Sequence, residues 1–166
     1  MHEYVIEGGF PIQGTITASG NKNAALPCIA ACLLTSETVI LNNIPEIQDT
    51  NVMLQILEAL GAKVEKITKH NWKIHCEKIA QKELPRDLTQ KVRGSIVFAG
   101  PLLARNGKCE MMPPGGDVIG RRRVDTHFLA LKELGANIVV NGHFQLTANK
   151  LKGADIFLDE ASVTAT

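Results

Sequence analysis

Two clusters of residues have the composition of anion sites, and the first follows Gly20. There Asn21, Lys22 and Asn23 precede an apolar stretch that contains Pro27. Because proline is tolerated only near the start of a helix, this spacing predicts a helix that begins a few residues before Pro27. Lys22 and Asn23 would then lie beside unpaired backbone amides at the positive end of the helix dipole, which favours anions. A glycine-containing turn with an exposed lysine explains the same residues equally well.

The second cluster belongs to a loop rich in glycine and proline at residues 113–125. Asp117 stands at the centre of this loop, and Arg121, Arg122 and Arg123 stand at its end. Long irregular loops in compact domains tend to be functional, and guanidinium groups bind phosphate through paired hydrogen bonds. The nearest residues offer no stacking aromatic, so the cluster favours a small phosphorylated molecule over a nucleic acid. A solvated basic turn is the alternative.

Two further residues could take part in chemistry. Arg93 precedes Gly94 in a predicted helix, where the glycine would let a ligand or another backbone approach. Its alternative is an ordinary surface arginine. His127 lies in the helix that follows Asp125, and a satisfied, partly buried histidine is the commoner case there than a catalytic one.

Composition excludes several classes of protein. The chain has 166 residues, of which 45% are hydrophobic and 21% charged, and its formal net charge is +1. It is therefore too apolar to be disordered, and too near neutrality to be a general nucleic-acid binder. No apolar run reaches the roughly 18 residues of a membrane span, and the first residues do not form a secretory signal. We expect a cytoplasmic protein that binds neither nucleic acid nor membrane.

Cysteine usage agrees with a reducing compartment. The chain has four cysteines and no Cys-x-x-Cys pair, so zinc and disulfide interpretations are weak, and we expect neither a metal nor a cofactor. All four are predicted to be small buried hydrophobes, namely Cys28, Cys32, Cys76 and Cys109.

An internal repeat supplies the elements that must position the candidate residues. Residues 57–62, LEALGA, return 74 positions later as residues 131–136, LKELGA. Each copy closes a predicted helix, and Gly61 and Gly135 stand where a left-handed C-terminal cap is expected. A hairpin is predicted after each glycine, and the second of these has a tight primed turn at Asn141-Gly142.

The repeat extends upstream of these helices. A helix predicted over residues 22–34 corresponds to one over residues 89–104, and each is followed by a short strand. The unit is therefore strand, helix, strand, helix, strand, strand, with copies near residues 12–78 and 84–148. A third copy begins near residue 151, with residues 154–158 as its first strand, and it is truncated. Since a repeat unit relies on its neighbours, we expect the chain to be incomplete or to need another chain.

Several motifs resemble one enzyme family. Residues 14–27, GTITASGNKNAALP, are similar to the N-terminal motif of the UDP-N-acetylglucosamine enolpyruvyltransferases. Residues 114–122 match as PGGxxIGxR, residues 124–127 match as VDxH, and the Leu-Gly-Ala repeat is also shared. The resemblance runs from about Tyr4 to Thr166. It implies transfer of the enolpyruvyl group of phosphoenolpyruvate to the 3'-hydroxyl of UDP-N-acetylglucosamine, the first committed step of peptidoglycan synthesis.

The resemblance also implies a fold. The family has two domains, each an inside-out α/β barrel of three βαβαββ units, in a chain more than twice this length. Residues 1–21 would contain a strand segment that belongs to the second domain, and residues 22–166 would form most of the first. The remaining C-terminal part would be needed to complete the fold, because a catalytic base and a further arginine come from the second domain. We therefore expect these 166 residues alone to be inactive.

Site residues follow from the same resemblance. It makes Asp117 the catalytic acid, and it makes Lys22, Asn23 and Arg122 the ligands of phosphoenolpyruvate. The family usually has cysteine at the position of Asp117, and that cysteine is the target of fosfomycin, so the resemblance implies fosfomycin resistance. The contacts with UDP-N-acetylglucosamine would be Arg93, Arg122, Arg123, Val124, Asp125, Thr126, Glu160, Ala161, Ser162 and Val163.

Besides Asp117, three positions depart from the family pattern, and two other functions stay open. Arg123 replaces a common proline, Thr164 a common glycine, and Glu160 stands where lysine often occurs. One alternative is the sister enzyme that acts on shikimate 3-phosphate. The other is a non-catalytic fragment that at most binds ligand.

Overall fold

A computed structural model of the chain describes residues 3–116 and 123–159. Within them the chain forms two similar α/β units, each with a three-stranded antiparallel sheet. The first unit comprises α1 (Lys22–Ala31), a 3₁₀ turn (Cys32–Leu34), β1 (Thr38–Leu41), α2 (Gln48–Ala59), β2 (Lys63–Lys66) and β3 (Trp72–His75). The second comprises α3 (Arg86–Thr89), a 3₁₀ segment (Arg93–Phe98), α4 (Ala99–Asn106), β4 (Lys108–Met111), α5 (Asp125–Glu133), β5 (Asn137–Val140) and β6 (Phe144–Thr147).

The two sheets have the same strand order and the same register. The order is β1-β3-β2 in the first sheet and β4-β6-β5 in the second. The middle row of the first sheet is Val39, Ile74 and Val64, and that of the second is Cys109, Leu146 and Ile138. These rows are apolar because they face the core. The internal repeat of the sequence is therefore a repeat of structure.

The repeated Leu-Gly-Ala ends its helix in the same way in both units. Gly61 has φ +104° and Gly135 has φ +96°, which confirms the predicted left-handed caps. In the first unit the amide of Gly61 donates to the carbonyl of Glu58, and the amide of Ala62 donates to Leu57. The same pair of bonds recurs in the second unit, so both helices end in a Schellman motif.

Two predictions about turns and helices are wrong. The turn at Asn141-Gly142 is not a two-residue primed turn, because Val140 pairs with Phe144 and three residues therefore connect the strands. The helix predicted over residues 89–104 is broken into α3, the 3₁₀ segment and α4. Val92 is extended, with φ −138° and ψ 127°. Pro101 would lie deep inside the predicted helix, where it has no N–H to donate.

Two of the predicted opening strands find no partner strand within the described residues. Residues 3–20 and 152–158 form no strand pair within this part of the chain. In the second unit the opening strand is a single parallel bridge, in which the amide of Leu84 donates to the carbonyl of Glu110 at 2.9 Å and Glu110 donates to Lys82. A strand needs a partner edge, and period-two patterning in the sequence does not show where that partner lies.

The core lies between the helices and the two sheets. Its least exposed side chains include Ile29 and Leu33 near α1, and Met53, Ile56 and Leu57 in α2. Among the cysteines, Cys32, Cys76 and Cys109 are buried as predicted, whereas Cys28 is exposed. Within residues 3–116 and 123–159, no helix is long and apolar enough to cross a membrane.

Arg105, at the end of α4, joins the second unit to the first. Its guanidinium donates to the carbonyls of Leu33 and Thr35, and to those of Cys76 and Glu77, at distances of 2.9 to 3.1 Å. These carbonyls lie at the ends of the first 3₁₀ turn and of β3. One side chain therefore fastens two chain segments of the first unit to a helix of the second.

Candidate functional site

The first candidate cluster lies at the N-terminus of α1. Asn21 caps this helix, since its side-chain oxygen accepts a hydrogen bond from the amide of Ala24 at 3.0 Å. Lys22 and Asn23 are therefore the first two helical residues, as the position of Pro27 predicts. Pro27 lies inside the helix and has no N–H, so the carbonyl of Asn23 lacks the donor four residues later.

A pocket of about 360 Å³ opens beside this helix start. It brings Lys22 and Asn23 together with Arg93, which the sequence analysis also singles out. Three cationic side chains and one carboxylate line it among the described residues, so their formal charges favour an anionic ligand. The lining residues are Lys22, Asn23, Leu26, Gln48, Asp49, Gln90, Lys91, Val92, Arg93, Gly94 and Gly116.

The carboxylate is that of Asp49, in the first turn of α2. Its Oδ2 atom lies 2.9 Å from Nζ of Lys22. The side chain of Lys22 is 50% exposed and that of Asp49 is 33% exposed, so both are open to solvent. An exposed pair of this kind contributes little to stability, but in the structure it joins the first residue of α1 to the first turn of α2.

Gly94 closes the pocket by allowing close packing. A Cβ atom at this position would lie 2.8 Å from Cδ1 of Leu26, so the glycine lets the second unit approach α1. The predicted close approach is therefore to a side chain of the protein. Arg93, the residue before this glycine, lines the same pocket as Lys22.

The start of the glycine-rich loop is fastened to the same region. The amide of Gly115 donates to the carbonyl of Thr89 at 3.3 Å, and that of Gly116 donates to Gln90 at 3.2 Å. A Cβ atom on Gly115 would lie 1.7 Å from the carbonyl oxygen of Gln90, so only glycine fits there. The two glycines therefore bring the beginning of the loop to the pocket.

Arg123, at the other end of the loop, forms a second cluster. Its guanidinium donates to both carboxylate oxygens of Asp125 at 2.6 to 2.9 Å, and to Asp159 at 2.8 Å. The hydroxyl of Thr126 also donates to Asp159, at 3.2 Å. The hydrogen bond from Arg123 lowers the pKa of Asp125 below its ordinary value, and the two carboxylates raise the pKa of Arg123 further. The guanidinium of Arg93 donates to the backbone carbonyl of Arg123 and so connects the two clusters.

Several predicted site residues are not placed by these contacts. Val124 precedes α5 and is half-buried, and His127 is buried within α5. Asp117 and Arg122 lie outside the described residues, as do Glu160, Ala161, Ser162 and Val163. Among the described residues, no group of three or more His, Cys, Asp or Glu side chains is placed to hold a metal ion.

Comparison with known proteins identifies the family. The family model of EPSP synthase (3-phosphoshikimate 1-carboxyvinyltransferase) matches residues 6–166. The chain belongs to the EPSP synthase family. Among curated proteins, it is 64% identical over 166 residues to the UDP-N-acetylglucosamine 1-carboxyvinyltransferase of Treponema denticola, and 58% identical to that of Treponema pallidum. In each case it matches along its whole length and spans 39% of the relative.

Two solved structures share the fold. The enolpyruvyl transferase NikO from Streptomyces tendae superposes with a TM-score of 0.70 at 26% identity, over 87% of this chain and 32% of that one. The EPSP synthase of Acinetobacter baumannii gives 0.69 at 20% identity, over 92% and 36%. These likenesses confirm the predicted α/β fold of the enolpyruvyltransferases.

Two carboxylates of this EPSP synthase family member were missed by the sequence analysis. Asp49 pairs with Lys22, and Asp159 pairs with Arg123. The repeat contains a signal for Asp49. The 74-residue offset makes its position equivalent to that of Arg123, which is a predicted site residue. Nothing comparable points to Asp159, which follows the second unit.

Proposed function

We propose that this chain is the N-terminal part of a cytoplasmic enzyme of peptidoglycan synthesis. The enzyme transfers the enolpyruvyl group of phosphoenolpyruvate to the 3'-hydroxyl of UDP-N-acetylglucosamine and releases phosphate. The observation that carries the proposal is the 64% identity, along the whole chain, to the Treponema denticola enzyme of that name. The family model alone names shikimate 3-phosphate chemistry, so the acceptor rests on these relatives.

The domain assignment is part of the proposal. Residues 1–21 would contain a strand segment of the second domain, and residues 22–166 would form most of the first. The exposure of apolar side chains before α1 supports this division, since Ile12 is 96% exposed and Ile16 is 93% exposed. Single exposed apolar side chains are common on protein surfaces. A run of them favours burial against another part of an enzyme.

The pocket at α1 would bind phosphoenolpyruvate. Lys22 and Asn23 would hold its anionic groups at the helix N-terminus, together with Arg122. Arg93, which lines the same pocket, would contact the sugar nucleotide. Addition of the acceptor hydroxyl to the enol carbon gives a tetrahedral intermediate, and fixed donors that face the developing charge stabilise it. Elimination then releases phosphate.

The segment from Arg123 to Thr126 would contact the nucleotide, together with residues 160–163. Since two carboxylates engage the guanidinium of Arg123, we assign its contribution to the backbone of the segment. The backbone at the start of α5 would also contact the nucleotide, at Val124, Asp125 and Thr126. Glu160 stands where lysine is common in the family, so residues 160–163 lack that positive charge.

Asp117 would be the acid that protonates the methylene carbon of phosphoenolpyruvate. A carboxyl group must be protonated to act in this way, and an unperturbed aspartate has a pKa of about 3.9. Burial in a closed site would raise this pKa, whereas neighbouring arginines lower it. The same carboxylate is a weak nucleophile toward an epoxide, so the enzyme would resist inactivation by fosfomycin.

A chimera tests the proposed function. The chain replaces the matching 39% of the Treponema denticola enzyme, and phosphate release from phosphoenolpyruvate is measured with UDP-N-acetylglucosamine or shikimate 3-phosphate as acceptor. We expect turnover with the sugar nucleotide only, and none from the 166-residue chain alone. Turnover with shikimate 3-phosphate only would support the sister enzyme. A folded chimera that binds UDP-N-acetylglucosamine without turnover would support a non-catalytic fragment.

A further inference from the structure

We propose that Asp49 is a positioning residue for Lys22, which rests on the proposed role of Lys22 as a ligand of phosphoenolpyruvate. The ion pair joins the first residue of α1 to the first turn of α2, across 27 residues of sequence. A lysine side chain has a flexible four-carbon stem, and without a partner it samples many rotamers. The carboxylate of Asp49 selects the one that places Nζ in the pocket.

The geometry leaves Lys22 able to bind a second partner. An ammonium group has three N–H donors, and Asp49 accepts one hydrogen bond from them at 2.9 Å. The side chain of Lys22 is 50% exposed, and it lines the pocket with Lys91 and Arg93. Asp49 therefore orients Lys22 and leaves two of its N–H donors for an anion in the pocket that Lys22 lines.

The charge of the pocket lining distinguishes a positioning role for Asp49 from a role in binding substrate. Lys22, Lys91 and Arg93 contribute three positive charges to its lining, and Asp49 is the one carboxylate among the described lining residues. Replacing Asp49 with asparagine raises the formal charge of this lining from +2 to +3. Attraction for an anionic substrate then increases, whereas the direction of the Lys22 side chain is no longer fixed.

Two opposite effects on the kinetic constants follow. Small misplacement of a group that positions substrate costs up to about a hundredfold in rate, so we expect Asp49→Asn to lower kcat at least tenfold. We expect the KM for phosphoenolpyruvate to stay within about twofold or to fall, because the anion is attracted at least as strongly. A residue that merely bound substrate would raise KM instead.

Asp49→Glu provides a rescue variant, since it restores the carboxylate on a longer side chain. It should recover a large part of the lost kcat. Glu58→Gln is the matched control, because it removes one negative charge from the exposed surface of the same helix, about 14 Å away along the axis. Glu58 makes no ion pair within residues 3–116 and 123–159, and its variant should behave as wild type.

The experiment measures kcat and KM in the active chimera for wild type and all three variants, with thermal denaturation as a check on folding. A tenfold loss of kcat at unchanged or lower KM, with rescue by Asp49→Glu, supports the proposal. Wild-type kinetics for Asp49→Asn overturn it. So does a raised KM at unchanged kcat.

A second measurement separates failure of this proposal from failure of the proposed function. In the same proteins, acetylation of Lys22 by an amine-reactive reagent is followed by peptide mass spectrometry, with and without inorganic phosphate. Phosphate should protect Lys22 in wild type, and Asp49→Asn should change the acetylation rate at least threefold. If the wild-type chimera turns over neither acceptor, the proposed function fails, and this change still supports the positioning role. Equal rates in wild type and Asp49→Asn overturn it.

Discussion

Replacing Arg105 with alanine should destabilise the protein by about 2–4 kcal/mol. The side chain makes four hydrogen bonds at 2.9 to 3.1 Å to carbonyls of the first unit. A hydrogen bond from a charged donor contributes about 1.5–3 kcal/mol, but the four share one guanidinium and water replaces part of them at this half-buried site. For a chain of this size, a loss of about 3 kcal/mol lowers Tm by roughly 6–12 °C.

A second variant of Arg105 separates the shape of the guanidinium from its charge. Arg105→Lys keeps the charge but carries its donors at one point, so it cannot serve all four carbonyls and should lose about half as much. Arg86→Ala is the control, because Arg86 is exposed and donates only to the thioether sulfur of Met112 among the described contacts. Urea denaturation followed by circular dichroism measures the free energy of unfolding. If Arg105→Ala stays within about 0.5 kcal/mol of wild type, the contacts do not join the two units.

Three further predictions concern caps, thiols and the loop. Gly61→Ala and Gly135→Ala should each cost roughly 1–2 kcal/mol in urea denaturation, since φ is positive at both, and Gly61→Ala should cost more because its Cβ would lie 3.0 Å from Cβ of Ala80. Burial raises the pKa of Cys109 to about 12 and that of Cys32 to about 11 from an ordinary 9.0, so the stability due to the neutral thiols is present below pH 9 and lost as pH rises through 11 to 12. The free energy of unfolding should fall over that range by at most about 1.4 kcal/mol per pH unit for each thiol, and Cys109→Ala should reduce the slope. In the active chimera, Asp117→Cys should become sensitive to fosfomycin and stay active, and Asp117→Asn should lose most activity at neutral pH. A stoichiometric fosfomycin adduct on the wild-type protein, detected by mass spectrometry, would contradict the role of Asp117.

The helix ends were predictable because local geometry sets them. The glycine after each Leu-rich helix must adopt positive φ to close the Schellman bonds, and both copies do so. Pro101 was a local signal for the break in the predicted helix, whereas the packing of Gly94 against Leu26 of α1 was not predictable. That contact joins residues 68 positions apart, and no pattern within a helix-length window contains it.

The candidate site shows the same difference between local features, which were predictable, and long-range contacts, which were not. The cap at Asn21 and the position of Lys22 follow from neighbouring residues, so the sequence predicts them. The partners do not, since Asp49 is 27 residues from Lys22 and Asp159 is 36 residues from Arg123. Which charges are paired is a property of the packed units. The role of Arg123 as a nucleotide contact stays a prediction from the resemblance, and only the structure reveals the two carboxylates that hold its guanidinium.

The position of Arg105 also has a consequence for folding during synthesis. Glu77, the last of its four partners, leaves the ribosome 28 residues before Arg105, and at about 5–20 residues per second this interval is roughly 1–6 s. During it the first unit exists without the side chain that satisfies carbonyls at two of its chain ends. Because such long-range contacts form late, the first unit reaches its final structure only after α4 has been made.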